Sequence, residues 1–435
     1  MKKTIDLLTK NKLCAGCGAC ISLCPVNALE LKLDNKMGVY FPKLHERKCI
    51  ECSICYRICP IVSFINERVE KKALRYVDML IGSYINCYVG HAKDYEIRYN
   101  ASSGGIVTQL LVYALESGII DGAIVTRMKK DNPLKPEPFI ARTKEELMEA
   151  TGSKYCPVPV NLPLRYILKT ERNEKFAVVG LPCQIRAIKN AEDFNRKLRE
   201  KIVFHVGLFC SHVPSFLATE IFLQRLGIRK EDVAELKYRG EGWPGFMKIL
   251  LKTGKTYKVA EPLYWRFLGL DFFIPRSCLL CNDALNELAD ISVGDAWLPE
   301  FSSDKLGTSI IIARNLVGKN IIENAEKSDK IKITEISYKK VIQSQLATIY
   351  FKKINLRARA KLLGIPSSHN SIKVENVDYF FAIFTYLNSQ VFSKSFIVKL
   401  ILKKIPLRLI DVYYFLPNLL YSKALNRFKK VLENS

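Results

Sequence analysis

From Tyr84 to Cys210, short runs of β-branched and other apolar residues alternate with stretches in which apolar side chains recur at helical spacing. "YINCYVGHA", "IDGAIVT", "KFAVVG" and "KIVFHVGLFC" read as strands, while "SGGIVTQLLVYALESG" and "LPCQIRAIKN" read as helices. In the first helix Ile106, Val107, Leu110, Leu111, Ala114 and Leu115 share a face, and Gly118 is a stop. Strands alternating with helices predict an α/β layer around a largely parallel sheet. "FMKILLKTGKTYKV" predicts an antiparallel excursion with its hairpin at Thr253-Gly254.

Other stretches depart from this pattern and mark the divisions of the chain. Residues 1–65 are Cys-rich, 66–83 form a charged connection without Cys, 84–160 and 161–320 carry the α/β pattern, and 321–435 form a basic extension. At 435 residues and a mean hydropathy near zero, the chain supports more than one buried core. The polar start "MKKTIDLLTK" lacks the apolar stretch of a secretory signal. Fourteen Cys then point to metal or redox chemistry in a reducing cytoplasm rather than to disulfides.

The spacing of those Cys identifies the chemistry of the first unit. "CAGCGACISLCP" supplies Cys14, Cys17, Cys20 and Cys24 before Pro25, and "CIECSICYRICP" supplies Cys49, Cys52, Cys55 and Cys59 before Pro60. Both read C-x2-C-x2-C-x3-C-P, the two-cluster ferredoxin spacing in which the fourth Cys of each run serves the other run's 4Fe-4S cluster. Cys14, Cys17, Cys20 and Cys59 are expected to hold one cluster, and Cys49, Cys52, Cys55 and Cys24 the other. Gly16 and Gly18 let the backbone wrap closely around the first.

Four further Cys fall at strand ends or in an isolated C-x-x-C. Cys183 follows the strand ending at Gly180, Cys210 follows "IVFHVGLF", and Cys278 and Cys281 lie in "RSCLLCND". Ligands of open α/β sheets collect beyond the carboxyl ends of the strands, so these thiols are expected to meet around a third cluster. Tetrahedral zinc and inert buried thiols are the competing readings. Cys87 and Cys156 are left as core thiols, and His205 and His212 beside Cys210 as satisfied core or rim groups. Ser102-Ser103-Gly104-Gly105 opens a helix and reads either as a phosphate seat or as a plain N-cap. Asp295 and Trp297 in "VGDAW" close the same crevice or form a cap with a packed ring.

In order after the doubled Cys run come "ASSGGIVTQLLVYALESGIIDGAIV", "TGSKYCPV", "VGLPCQIRAI", "YRGEGWPGF" and "CLLCNDALNELADISVGDAW". Together they resemble the family of beta subunits of coenzyme F420 hydrogenases and dehydrogenases over roughly residues 10 to 315. Residues 84–160 would be its N-terminal region and 161–320 its C-terminal region. The resemblance implies an α/β flavin-binding core, FAD held around Ser102, Ser103, Gly104, Gly105, Lys154 and Tyr155, and hydride exchange with the 8-hydroxy-5-deazaflavin coenzyme. It implies a ferredoxin or a hydrogenase or dehydrogenase subunit as partner. The family also contains reductases of other organic substrates, including members in polysaccharide clusters. The chemistry agrees: clusters move single electrons, a deazaflavin takes hydride, and a flavin converts one into the other.

Charge changes the picture only at the end of the chain. Between Lys340 and Ser435, 16 Lys and Arg stand against 4 Asp and Glu, a net of +12 within a total of +24. Aromatics are mixed in, and Pro406 and Pro417 are expected to interrupt any long helix. This suits amphipathic helices lying on the inner face of an anionic membrane, or a helical cap on the core. With no recognition motif beside the basic residues, nucleic acid is not an expected partner.

Overall fold

The β-branched runs pair as the pattern predicts. The computed structural model describes residues 5–66, 76–364 and 374–433. Two strands, β1 (Leu29–Asp34) and β2 (Val39–Leu44), form an antiparallel hairpin between the two Cys runs. The central sheet is built from β3 (Asn86–Ala92), β4 (Gly122–Met128), β5 (Pro136–Ala141), β6 (Phe176–Gly180) and β7 (Ile202–Leu208). Beyond them, β8 (Val233–Lys237), β9 (Phe246–Leu251) and β10 (Thr256–Ala260) make a separate antiparallel sheet whose β9–β10 turn holds Gly254 at φ +84°. Then β11 (Ile291–Asp295), β12 (Ser309–Ala313) and β13 (Ile331–Glu335) rejoin the central sheet.

Its order is β13-β3-β12-β11-β7-β6-β4-β5. The four inner strands β11, β7, β6 and β4 are mutually parallel, and the flanking pairs are antiparallel. The parallel core is thus shorter than the sheet, and the antiparallel excursion extends to both its margins as well as to the β9–β10 hairpin.

Period-two alternation sends side chains to both faces. Ile311 and Ala313 of β12 join Leu110, Leu111 and Ala114 of the helix Ile106–Glu116 and Ile322 of the helix Leu316–Lys327 on one face. On the other face Phe176 and Val178 of β6 pack on Ile185 and Ile188 of the helix Pro182–Glu192. Further along that face, Ile310 and Ile312 of β12 meet Tyr350, Phe381, Ala424 and Phe428. The basic extension is therefore part of the core, as the helical-cap reading expects. Cys87 and Cys156 are buried among apolar side chains.

One local expectation changes and one is met. The connection at 66–83, read as a connecting helix or linker, is helical at Tyr76–Ile81, and residues 67–75 lie outside the described residues. Pro417 does not interrupt its helix, which runs from Leu407 to Glu433. Its buried ring faces the protein, and packing along the helix outweighs the one lost amide bond.

His205 is satisfied, as its place in a buried strand suggests. Nδ1 lies 2.9 Å from Asp290 Oδ2 and Nε2 2.8 Å from Glu192 Oε1. Burial alone would lower its pKa, but the two carboxylates outweigh burial and raise it. Burial would likewise raise Asp290, yet His205 draws it down to about 2. The sign follows: the Asp290 contribution is complete above the ordinary Asp pKa of ~3.9 and is lost as pH falls through about 2. The His205 contribution is complete below ~6.5 and is lost as pH rises through its elevated folded value. Replacing His205 by Gln is expected to cost about 3 kcal/mol in urea unfolding at pH 6, because two buried carboxylates lose their cation.

Candidate functional site

The doubled Cys motif folds as a doubled turn. Gly16 and Gly18 take left-handed φ of +66° and +83°, and Glu51 and Ser53, at the same places in the second run, take +54° and +61°. Each run thereby curls its backbone around its first three thiols. The Gly16 amide donates to Cys14 Sγ over 3.2 Å, and the Ala28 amide to Cys24 Sγ over 3.2 Å. Cys24, Cys49, Cys52 and Cys55 line one cleft of about 360 Å³ of empty space, the crossed set that the spacing predicts. Cys14, Cys17, Cys20 and Cys59 form the other set and repel one another as thiolates. Burial pushes Cys59 up to about 12, and Cys17 pushes in the same direction. Thiols so arranged ionise together only around a cationic centre, which fits the donor set to iron-sulfur clusters.

A second cleft, of about 650 Å³, is lined by Cys183, Cys210, Cys278 and Cys281 on one side and by Cys14, Gly16 and Tyr40 on the other. The four strand-end thiols thus share one space, adjoining the first ferredoxin set. Cys183 sits in the first turn of the helix that begins at Pro182, and Cys210 lies just beyond β7. Cys278 and Cys281 belong to a tight turn around Arg276–Leu279. Burial pushes Cys210 up to about 12.

One side chain holds these elements in register. Asn286, in the loop after the C-x-x-C, donates from Nδ2 to the Gly180 carbonyl at the end of β6 over 2.8 Å, and to the Leu208 carbonyl of β7 over 3.3 Å. Its main-chain carbonyl accepts from the Ser292 hydroxyl of β11. Asp283 fixes the loop by accepting from the Asn286 amide at 2.7 Å, and the Cys210 amide bonds the Ala284 carbonyl at 2.9 Å. Gly207 is required here, since a Cβ would stand 2.3 Å from Asn286 Cγ.

The two segments predicted to hold FAD meet at one hydrogen bond. Ser102 Oγ accepts from the Ser153 amide at 2.6 Å, which seats the Ser-Ser-Gly-Gly turn against "TGSKY". Ser103 Oγ donates to the Thr308 carbonyl, and the Gly104 amide donates to Ser309 Oγ, both at 3.0 Å. Gly104 is glycine because a Cβ would lie 2.6 Å from the Gly90 carbonyl oxygen. Gly105 caps the helix with no side-chain hydrogen bond, so the first-turn amides beyond it lack a side-chain cap. That backbone fits an anion; the Gly104 amide is already engaged. Lys154 Nζ donates to the carbonyls of Ala150, Thr151 and Gly152 at 2.5, 2.9 and 2.9 Å, and burial lowers it to about 7. Its place is that of a clamp on its own loop. Tyr155 packs on Trp265, centroids 4.7 Å apart, and its hydroxyl meets Arg239.

Arg239 and Trp243, both within "YRGEGWPGF", went unremarked individually in the sequence and prove central. Arg239 binds Asp295 through two parallel bonds of 2.9 Å, and Trp243 Nε1 adds a third at 2.8 Å. Asp295 is therefore a half-buried anchor, and Trp297 lies against Trp243 with centroids 4.8 Å apart. The density of Gly around Trp243 is the signal that could have found this turn. His212 departs from expectation: it stacks near Trp265, but its buried Nε2 has no hydrogen-bond partner. Lys352, on the wall of the thiol cleft, was also missed, because its segment reads as surface helix.

Comparison with known proteins agrees with this layout. Residues 87–165 match the N-terminal part, and 173–339 the C terminus, of the family described as coenzyme F420 hydrogenase/dehydrogenase, beta subunit. Residues 13–63 match a 4Fe-4S dicluster domain. The coenzyme F420 hydrogenase subunit beta of Methanothermobacter thermautotrophicus is 32% identical over 256 residues, 57% of this chain and 83% of that protein. An F(420)H(2) dehydrogenase subunit of Methanosarcina mazei is 26% identical over 347 residues, 77% of this chain and 88% of that one. A chain of the F420-reducing NiFe hydrogenase complex from Methanosarcina barkeri superposes with a TM-score of 0.53 at 25% identity, covering 67% of this chain and 98% of that one. Replacing Gly207 by Ala is expected to displace Asn286 and cost about 1–3 kcal/mol in denaturant unfolding, with weakened metal retention at the inner thiols before the outer ones.

Proposed function

The chain belongs to the family of coenzyme F420 hydrogenase/dehydrogenase beta subunits, and on that premise we propose that it passes electrons between a ferredoxin or partner subunit and coenzyme F420 through 4Fe-4S clusters and FAD. The observation that carries the reading is the cleft in which the inner ferredoxin thiol Cys14 faces the four strand-end thiols. Cys183, Cys210, Cys278 and Cys281 would hold a third cluster.

The outer set includes the exposed Cys52 and is where a redox partner would dock. The uncapped start of the helix Ile106–Glu116 would receive the phosphates of FAD, and Lys154 and Tyr155 would shape its pocket. Bound there, FAD would supply the exchange between single electrons and hydride. Asp295 would fix Arg239 and Trp243 on the wall of that pocket, and the neighbouring aromatics would exclude water.

A separate surface supports peripheral attachment to an anionic membrane. Phe396, Ile397, Leu400 and Ile401 are exposed on one helix, and Leu409, Val412 and Phe415 on the next, with Lys399, Lys404 and Arg408 interleaved. No helix among the described residues is long and apolar enough to cross a membrane.

Anaerobically prepared protein is expected to contain about twelve iron atoms, four per cluster, and Cys183→Ala about eight. FAD should be released on denaturation, and reduced ferredoxin should drive reduction of coenzyme F420 by the wild type. Flavin-loaded protein that exchanges no hydride with the deazaflavin would overturn the reading. Cosedimentation of the full chain with phosphatidylglycerol vesicles, and its loss in Phe396→Ser/Ile397→Ser, tests the membrane face; equal binding to phosphatidylcholine would refute it.

A further inference from the structure

A cation buried without an anion is costly, and the chain contains two within reach of one thiol cleft. Lys352 and Arg359 lie beyond residue 339, where the match to the family ends, yet they are only 1% and 2% exposed. Lys352 is on the cleft wall with Cys183, Cys210, Cys278 and Cys281, and its Nζ donates to the Cys278 carbonyl over 3.4 Å. Arg359 reaches the same turn from behind, donating from Nε to the Leu279 carbonyl at 3.0 Å and from Nη1 to the Phe351 carbonyl and Asn355 Oδ1. Its Nη2 is buried without a hydrogen-bond partner.

Among the described residues neither cation has a carboxylate at ion-pairing distance, although the adjacent Lys353 pairs with Glu287. What faces Lys352 instead is sulfur. The segment Tyr350–Leu362 thus brings Lys352 onto the wall of the inner thiol cleft and Arg359 behind its turn, and Lys353 fastens that segment to the loop bearing Asn286.

We propose that Lys352, assisted by Arg359, is the fixed countercharge of the inner 4Fe-4S cluster and raises its reduction potential. This rests on the reading that the four inner thiols hold a cluster. A cluster ligated by four thiolates is anionic, and reduction adds one electron and therefore one further negative charge. A fixed cation in a low-dielectric interior stabilises the reduced state more than the oxidised one. The cleft of the outer ferredoxin set has no Lys or Arg on its wall, and the one comparable contact there, Arg57 to the Cys52 carbonyl at 3.5 Å, is exposed to solvent, so the inner cluster becomes the favoured resting place for an electron entering from that set.

The test is an anaerobic redox titration of the full-length holoprotein, followed by electron paramagnetic resonance, with iron counted on the same samples. In Lys352→Gln the reduced-to-oxidised ratio of one cluster at a set potential is expected to fall at least tenfold, about 59 mV for one electron, while Lys352→Arg stays near wild type. A fully loaded Lys352→Gln protein with an unshifted midpoint overturns the proposal. Should Lys352→Gln lose about four irons, Arg359→Gln is titrated instead and a shift in the same direction is expected. An unshifted midpoint there, or loss of the same irons from both variants, assigns the pair to structure and overturns the redox role. A wild type with about eight irons removes the inner cluster itself and is recognised from the iron count alone.

Discussion

Parallel strands bring their carboxyl ends to one edge of a sheet, but something must hold those ends level for the residues beyond them to meet. In this protein Asn286 does so, its side-chain Nδ2 bonding the last residues of β6 and β7 while its main-chain carbonyl takes the Ser292 hydroxyl of β11. Three strands are thereby locked at the level where Cys183 and Cys210 leave the sheet, and the same loop brings the Cys278–Cys281 turn up to them. The latch needs a left-handed Asn286, φ +60°, and a bare backbone at Gly207. Neither requirement concerns sulfur, yet the thiol cleft depends on both.

The same loop is held from its far side by charge. Arg314, buried in the sheet, donates to the Ser292 hydroxyl and to the carbonyls of Ile81, Ser83 and Leu285. The extension then adds Lys353 to Glu287 and Arg359 to Leu279. A chain segment outside the family's matched range thus closes one face of the sheet and the back of the inner site together. Its exposed outer helices and its buried inner ones are two regions of one element, which is why neither a cap nor a surface anchor alone describes it.

What could be read from the sequence was local. Eight thiols at fixed spacing sort into crossed sets because the spacing itself determines which side chains one turn can present. Cys183 and Cys210 were legible because each directly follows a strand. Lys352 was not legible, since a Lys among apolar residues looks the same whether it faces solvent or a thiol. The pairing of Arg239 with Asp295 spans 56 residues and leaves no periodic trace. Gly104 shows the opposite hazard: a glycine that reads as room for phosphate is also demanded by the close approach of the Gly90 carbonyl. The Tyr155–Trp265 packing likewise joins segments whose patterns give no hint of each other.

The walls of the inner cleft also set an order of maturation. All eight ferredoxin thiols lie between Cys14 and Cys59, whereas the inner site is assembled from Cys183, Cys210, Cys278, Cys281 and Lys352. Domains fold from the N-terminus as the chain emerges from the ribosome. The first unit can take up iron while most of the polypeptide is still unmade, and the inner site is complete only once the chain has been translated past residue 352. If the inner thiols hold a cluster as proposed, its delivery would come after that to the first unit, and a nascent chain halted between the two events would be a ferredoxin-type unit joined to an unfinished sheet.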